Sequence, residues 1–238
     1  MSRKIIIIPT YNEAKNIGIL LNKLQVFNLN ILIIDDNSPD NTAAIVKNLM
    51  EANSNLHLIQ RKNKLGLGSA YREGFRYCID KGFESFIQMD ADFSHRIEDL
   101  SSLMANTPNY DVIIGSRYVN GGATKGWSVN RMLLSKFANT YARCITGCKI
   151  KDLTSGFRIY SLKALKEIEF EKTTCNGYGF QIEMSSRAFN RDLKITEVPI
   201  IFHERELGVS KINFKIILEA VFVVFKIRIN KYKNVINL

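Results

Sequence analysis

Lys4-Ile5-Ile6-Ile7-Ile8-Pro9-Thr10-Tyr11-Asn12-Glu13 sets four β-branched residues in a row, stops at a proline and continues as polar chain. Such a run suits a buried strand, and the proline closes it. Past Glu13, Ile17, Leu20, Leu21 and Leu24 fall at i, i+3, i+4 and i+7, the spacing of an amphipathic helix. The alternation continues. Residues 31–34, 56–60, 86–89 and 112–115 read as buried strands. Residues 42–50, capped by Asp40 or Asn41, and 67–81, entered through Gly66 and Gly68, read as helices. Apolar strands joined by helical crossovers specify a Rossmann-like α/β fold, a mostly parallel sheet flanked by helices. The second half is less regular. Helices are expected at 132–146, 161–168 and 181–191, a strand at 195–199, and loops at 152–158 and 204–211. No repeat or low-complexity linker divides the chain, so one domain is expected over 1–212, with an appendage over 213–238.

Within that appendage, Ile216–Phe225 is apolar apart from Glu219 and is flanked by Lys211, Lys215, Lys226, Arg228, Lys231 and Lys233. A spanning helix needs about 20 apolar residues. This run is shorter, so a helix lying in the headgroup region of a membrane is expected, with a helix packed on the sheet as the alternative. The N-terminus is too briefly apolar for a signal peptide. The 238 residues carry 33 Lys and Arg against 23 Asp and Glu, a net charge of +10. That excess favours an anionic partner: nucleic acid, a nucleotide or an acidic membrane face. No stacking-aromatic or groove-reading motif supports nucleic acid. The four cysteines, at 78, 144, 148 and 175, form no CxxC pair and read as reduced cytosolic thiols.

In parallel sheets, ligands bind beyond the carboxyl ends of the strands. Four polar segments stand at such ends: 9–13, 35–38, 90–92 and 115–117. Asp90 and Asp92 follow a buried strand and face the same way. Two close carboxylates repel each other unless a cation relieves them, and a hard divalent ion that also grips phosphate oxygens does so. Asp35-Asp36 suits acceptance of hydrogen bonds from a ribose or base, or equally a turn before Ser38-Pro39-Asp40. Gly66-Leu67-Gly68 opens a helix without being a Walker loop, and close packing explains it as well. Arg117, Arg131, Arg205 and Lys211 are loop-region cations suited to phosphate, although a surface cation is ordinarily only solvated. His95 stands beside the acidic pair as a base or as a structural residue.

Taken together, Pro9-Thr10-Tyr11-Asn12-Glu13, Ile34-Asp35-Asp36-Asn37-Ser38-Pro39-Asp40, Met89-Asp90-Ala91-Asp92-Phe93-Ser94-His95 and Gly115-Ser116-Arg117-Tyr118 resemble family 2 glycosyltransferases of the GT-A fold, and more narrowly the dolichyl-phosphate (polyprenyl-phosphate) mannose synthases. Lys64–Gly68, Asp152–Arg158, Gly177–Gln181, Glu197-Val198-Pro199, Arg205 and Lys211 extend the resemblance over residues 4–212. It implies mannose transfer from GDP-mannose to dolichyl or another polyprenyl phosphate, metal-dependent through Mg²⁺ or Mn²⁺ and inverting. Pro9, Tyr11, Glu13, Ile34 and Asp36 would hold the guanosine half. Asp90, Ala91 and Asp92 would line the diphosphate, with Asp92 and Ser94 at the metal. Arg205 and Lys211 would close over the diphosphate, and Arg117, Arg131 and Ser135 would receive the acceptor phosphate. The sequence departs from the family pattern at Asn37, which replaces a usual glycine, at Phe93, which replaces an aliphatic residue, and at Glu206. The resemblance further implies a peripheral protein on the cytoplasmic face of a membrane, the endoplasmic reticulum in a eukaryote or the plasma membrane in a prokaryote. It would lack added membrane-spanning helices and attach by a surface helix or small membrane subunits. A UDP-sugar transferase of the same fold and a non-catalytic nucleotide- or lipid-phosphate-binding subunit are the alternatives.

Overall fold

The computed structural model describes residues 3–204, 222 and 224–229. In chain order the elements are β1 (Lys4–Thr10), α1 (Ala14–Leu24), β2 (Asn30–Asp35), α2 (Thr42–Met50), β3 (Leu56–Gln60), α3 (Leu67–Asp80), β4 (Ser85–Gln88), α4 (Asp99–Met104), β5 (Val112–Ser116), β6 (Ala123–Lys125), α5 (Val129–Thr146), β7 (Arg158–Ser161), α6 (Leu162–Ile168), α7 (Tyr178–Asn190), β8 (Ile195–Pro199) and β9 (Ile201–His203). Seven strands form one sheet in the order β3-β2-β1-β4-β7-β5-β8, and β6 pairs with β9 beside it. All neighbours in the large sheet are parallel except at β7, which runs antiparallel to both β4 and β5.

Alternation along the strands divides the core in two. Ile5, Ile7, Leu32, Ile34, Phe86 and Ile114 face one way, under Tyr71 and Phe75 of α3 and Phe180 of α7. Ile6, Ile8, Ile31, Ile33, Ile87 and Ile113 face the other, under Ile17, Leu20, Leu21 and Leu24 of α1 and Leu100 and Leu103 of α4. Pro9 does not close β1, which runs on to Thr10. Odd residues of β1 turn their peptide groups toward β4, where the Met89 N–H donates to the Ile7 carbonyl. The paired register with β4 ends at Ile7. The missing N–H of Pro9 therefore falls beyond the ladder and costs the sheet nothing.

The expected loop at 152–158 ends in strand β7, inserted at the middle of the sheet. Only four residues long and opened by an arginine, it carries too little alternation to be read. Arg158 is wholly buried without a carboxylate partner among the described residues, and carbonyls and hydroxyls satisfy it instead. Its Nε donates to the Ser155 carbonyl at 2.7 Å, Nη2 to the Leu153 carbonyl at 2.8 Å, and Nη1 to Ser185 Oγ at 2.6 Å and the Gln181 carbonyl at 3.1 Å. One guanidinium thus ties the 153–155 loop to α7.

Of the tail, Phe222 and 224–229 are described, as helix. Val224 is buried and Ile227 packs against the α3-side core, while Phe222, Phe225 and Ile229 stay exposed. This part has a packed side and an open apolar side. Among the described residues no helix is long and apolar enough to cross a membrane, and all four cysteines are free thiols.

Candidate active site

β1, β2, β4 and β5 all end on one rim of the sheet, and the polar segments after them meet there. Where β1 and β2 end, Thr10 stands opposite Asp35. Asp35 is buried and accepts hydrogen bonds from Thr10 Oγ1 at 3.1 Å, the Ser38 amide at 2.9 Å and Ser38 Oγ at 2.6 Å. Its carboxylate holds the turn. Asp36 accepts from Arg61 Nη1 at 2.6 Å and from the Gly66 amide at 3.1 Å, pinning the 61–66 connection against the rim. Arg61 also reaches Glu73 at 3.2 Å and donates to Ser69 Oγ. Asn37 has φ +59°, so asparagine supplies here the left-handed geometry expected of glycine. Asp40 accepts from the Ala14 amide at 2.9 Å and from Thr42 Oγ1 at 2.5 Å, joining the starts of α1 and α2. Glu13 accepts from Asn16 Nδ2 at 2.8 Å. The ammonium of Lys64 lies 3.7 Å from the centre of the Tyr11 ring. Ile34 is different: its side chain is core, beneath α3.

The acidic pair follows β4. Asp92 Oδ1 accepts from the Ser94 amide at 3.1 Å, and the turn between them forces Phe93 to φ +59°. A left-handed bulky residue stores about 1–3 kcal/mol of strain, retained where surrounding structure imposes it. The turn brings His95 back beneath Asp90. The Asp90 amide donates to His95 Nδ1 at 3.1 Å, which places the ring proton on Nε2. Nε2 lies 3.8 Å from Asp90 Oδ2, beyond a hydrogen bond. Burial lowers the His95 pKa, against the pull of Asp90 and Asp92. A neutral ring whose acceptor nitrogen is already occupied has no lone pair left for a substrate proton. His95 is therefore a structural residue here and not a base. It stacks on Phe157 at 4.9 Å, and a Cβ on Gly156 would come 3.4 Å from Asp90 Oδ2, so the 152–158 segment closes this side of the acidic pair.

The arginines approach from β5 and α5. Arg117 donates through its amide, Nε and Nη2 to Asp152, at 3.0, 2.8 and 2.7 Å, and through Nη2 to Thr154 Oγ1 at 2.7 Å. Burial alone would raise the Asp152 pKa, but the charge and hydrogen bonds of Arg117 outweigh it and hold the carboxyl below its ordinary value. Arg131 pairs with Glu204 at 2.7 Å and lies over the Trp127 ring at 4.2 Å, with Arg117 over the same ring at 5.5 Å. Ser135 accepts from Tyr118 OH at 2.7 Å. Rings link the two halves: His95 meets Phe202 edge-on at 5.4 Å, and Phe202 meets Trp127 at 5.4 Å. Ser94 Oγ, His95 Nε2 and Trp127 Nε1 are all buried without a hydrogen-bond partner among the described residues, so this seam holds unspent polar capacity.

Asp90, Ala91, Asp92, Ser94, Arg117, Arg131 and Ser135 thus lie along one continuous seam, with Pro9, Tyr11, Glu13 and Asp36 on the β1–β2 part of the same rim. Arg205 and Lys211 lie outside the described residues. Asp152, Trp127 and Arg61 carry much of the local order, and neither Trp127 nor Arg61 belongs to a motif read from the sequence. For Asp152 the one available signal is its place in the Asp152–Arg158 motif.

A mainly parallel sheet with an acidic turn after its second strand and a second acidic pair after its fourth is the GT-A architecture of nucleotide-sugar enzymes. The chain belongs to glycosyl transferase family 2, whose profile matches residues 5–169, and it is a glycosyltransferase. It is 42% identical over 224 residues to the polyprenol monophosphomannose synthase of Mycolicibacterium smegmatis, covering 92% of this chain and 84% of that one. It is 38% identical over 221 residues to the undecaprenyl-phosphate mannosyltransferase of Micrococcus luteus, covering 92% and 91%. Solved structures share the fold, among them the following two. One is a mannosyltransferase from Pyrobaculum calidifontis in complex with GDP-Man and Mn²⁺, with TM-score 0.56, 16% identity and coverage of 96% of this chain and 73% of that one. The other is GalNAc-T7 with UDP, GalNAc and Mn²⁺, with TM-score 0.59, 12% identity and coverage of 95% and 48%.

Proposed function

We propose that this enzyme transfers mannose from GDP-mannose to the phosphate of a polyprenyl phosphate, with inversion and with a divalent cation, working peripherally at the cytoplasmic face of a membrane. The observation that carries the reading is the seam itself: Arg117 and Arg131 share the Trp127 ring, and that ring reaches His95 of the acidic turn through Phe202. Anion-binding and carboxylate groups then flank one space. The two bacterial relatives, by their names, act on polyprenyl phosphates and mannose, which supports the same substrates here.

The residues fit a metal. No three of His, Cys, Asp and Glu converge among the described residues, so the protein would supply only one or two oxygens, from Asp92 and the unpartnered hydroxyl of Ser94. Magnesium is commonly held this way, with substrate phosphates completing its shell. When bound, the cation neutralises charge on the departing diphosphate. Tyr11, Glu13 and Asp36 hold the nucleoside half. Arg117 and Arg131 aim the acceptor, a phosphate monoester already anionic at neutral pH. No general base is needed, in keeping with an occupied His95. Arg205 and Lys211 are assigned to the diphosphate, and residues 1–212 to the catalytic domain. Attack from the face opposite the diphosphate inverts the anomeric carbon.

The test is transfer of labelled sugar to a short polyprenyl phosphate from GDP-mannose, UDP-glucose or UDP-N-acetylglucosamine, with Mg²⁺, Mn²⁺ or chelator. GDP-mannose alone should serve, and the product anomer should be inverted. Transfer from a UDP-sugar only would overturn the donor assignment, and no transfer from any donor would favour a non-catalytic subunit.

A further inference from the structure

Phe93 stands between Asp92 and Ser94 with φ +59°, a backbone conformation that bulky side chains avoid. Among the described residues, Asn12, Asn28, Asn37 and Asn41 also have positive φ, which a short polar side chain tolerates, and Phe93 is the one aromatic residue there. It is also the position at which the sequence departs from an aliphatic residue of the family pattern.

The fold holds this turn from several sides. The half-buried Phe93 ring packs against the α1-side core, and the Lys23 ammonium of α1 lies over it, 5.2 Å from the ring centre. The Ser94 carbonyl accepts from the His203 amide of β9 at 3.0 Å. His95 Nδ1 accepts from the Asp90 amide at 3.1 Å. Backbone strain persists only where the surroundings impose it, and it gathers at functional sites. Packing of a half-buried ring needs no left-handed backbone. The geometry of its two neighbours does. Asp92 Oδ1 accepts from the Ser94 amide at 3.1 Å, a bond from a side chain to the backbone two residues on, and an extended residue 93 would carry Ser94 away from it. Asp92 is 4% exposed, and the Ser94 hydroxyl is wholly buried without a hydrogen-bond partner among the described residues.

We propose that Phe93 is a positioning residue, whose anchored ring imposes the left-handed turn that sets Asp92 and Ser94 toward the cation and diphosphate. The inference deepens the proposed function and rests on it for that cation, but its readouts need no turnover. Two substitutions separate turn from packing. F93N fits the left-handed region and loses the apolar anchor. F93V keeps an apolar side chain, and its branched Cβ resists that region. The full chain of each is titrated calorimetrically with Mn²⁺ in the presence of GDP, and exchange of the Ser94 amide is followed by NMR without metal. F93N should bind Mn²⁺ within about 3-fold of wild type and F93V about 10-fold more weakly, the usual effect of removing support behind a metal ligand. The Ser94 amide should exchange faster in F93V than in F93N, because the relaxed turn breaks its bond to Asp92. F93L, which keeps an unbranched Cβ and an apolar anchor, should bind as wild type does. The reverse order, with F93V and F93L near wild type and F93N weakened, assigns Phe93 to packing and overturns the proposal. So does equal affinity in F93N, F93V and wild type. Wild type that takes up no Mn²⁺ with GDP overturns the assignment of the turn to a cation. If the variants bind Mn²⁺ in the expected order but wild type transfers no sugar from any donor, the proposed function fails and the role of the turn stands.

Discussion

Replacing Asp152 by alanine removes the carboxylate that accepts three hydrogen bonds from Arg117, between groups whose side chains are 0 and 6% exposed. Breaking one partner of a buried pair costs about 3–5 kcal/mol, because the other charge is left uncompensated. Two features favour the lower end. Arg117 keeps its bond to Thr154 Oγ1, and it borders a cavity that water can enter. About 3 kcal/mol in a chain of this size lowers the melting temperature by about 6–12 °C. The sign against pH follows from the depressed Asp152 pKa. A carboxylate stabilised in the folded state contributes fully above its unfolded pKa, and the contribution is lost as pH falls through the folded value. Calorimetry should therefore show the full gap between wild type and D152A at pH 7, narrowing below about pH 4. With the guanidinium unmoored, kcat/KM for polyprenyl phosphate should fall on the order of 10²-fold, since small misplacement of an orienting group is that costly. The KM for the sugar nucleotide should hold. A D152A enzyme melting within about 2 °C of wild type at pH 7, with normal acceptor kinetics, would show that the pair neither supports the fold nor positions Arg117.

Three further outcomes are expected. D92A should lower turnover by about 10²–10³-fold, the usual effect of deleting one electrostatic stabiliser, and transfer near the wild-type rate would remove Asp92 from the site. H95N, whose amide oxygen replaces Nδ1 as acceptor for the Asp90 amide, should keep at least a tenth of wild-type kcat; H95Q, which replaces Nε2 instead, should lose more and bind Mn²⁺ more weakly by calorimetric titration (order-of-magnitude expectations). Equal retention in both would deny His95 its part in bracing Asp90. G74A places a Cβ 2.6 Å from Ile34 Cδ1 and 2.9 Å from Ile7 Cγ2 and should destabilise by about 1–2 kcal/mol, after the helix propensity gained is set against overpacking. I34V, which removes that Cδ1, should recover part of the loss in the double variant, and strict additivity would place the clash elsewhere.

The half of the molecule that alternates long strands with helices was legible because its strands are short, mainly apolar runs ending in polar residues, with β1 the most β-branched of them. β3 and β8 occupy the expected residues, 56–60 and 195–199, and α2 occupies 42–50. β7 was not legible. Four residues opened by Arg158 look like loop, and the carbonyls of 153, 155 and 181 with the Ser185 hydroxyl, gathered around its guanidinium, explain a charge at mid-sheet. β6 and β9, three residues each, fall below any periodicity. The first turn of α5, Val129-Asn130-Arg131, is not legible because it carries a single apolar residue and so adds no periodicity to the helix expected from 132.

The site divides along the same line. Residues placed at strand ends were found from sequence because the parallel-sheet rule fixes where those ends point. Their partners were not, because Asp152 lies 35 residues from Arg117 and Glu204 lies 73 from Arg131. Spacing carries no record of such pairings. They change what the charges can do. Asp36 spends its carboxylate on Arg61 and Gly66, and Arg117 spends its guanidinium on Asp152, so neither is an unengaged charge awaiting ligand. Under the proposed function, a substrate would meet the outer faces of these pairs and the polar atoms of Ser94, His95 and Trp127 that are unpartnered among the described residues. Pairing of this kind orders the site before any substrate arrives. It also makes removal of a partner such as Asp152 a sharper probe of acceptor positioning than removal of Arg117, which would delete the contact and its support together.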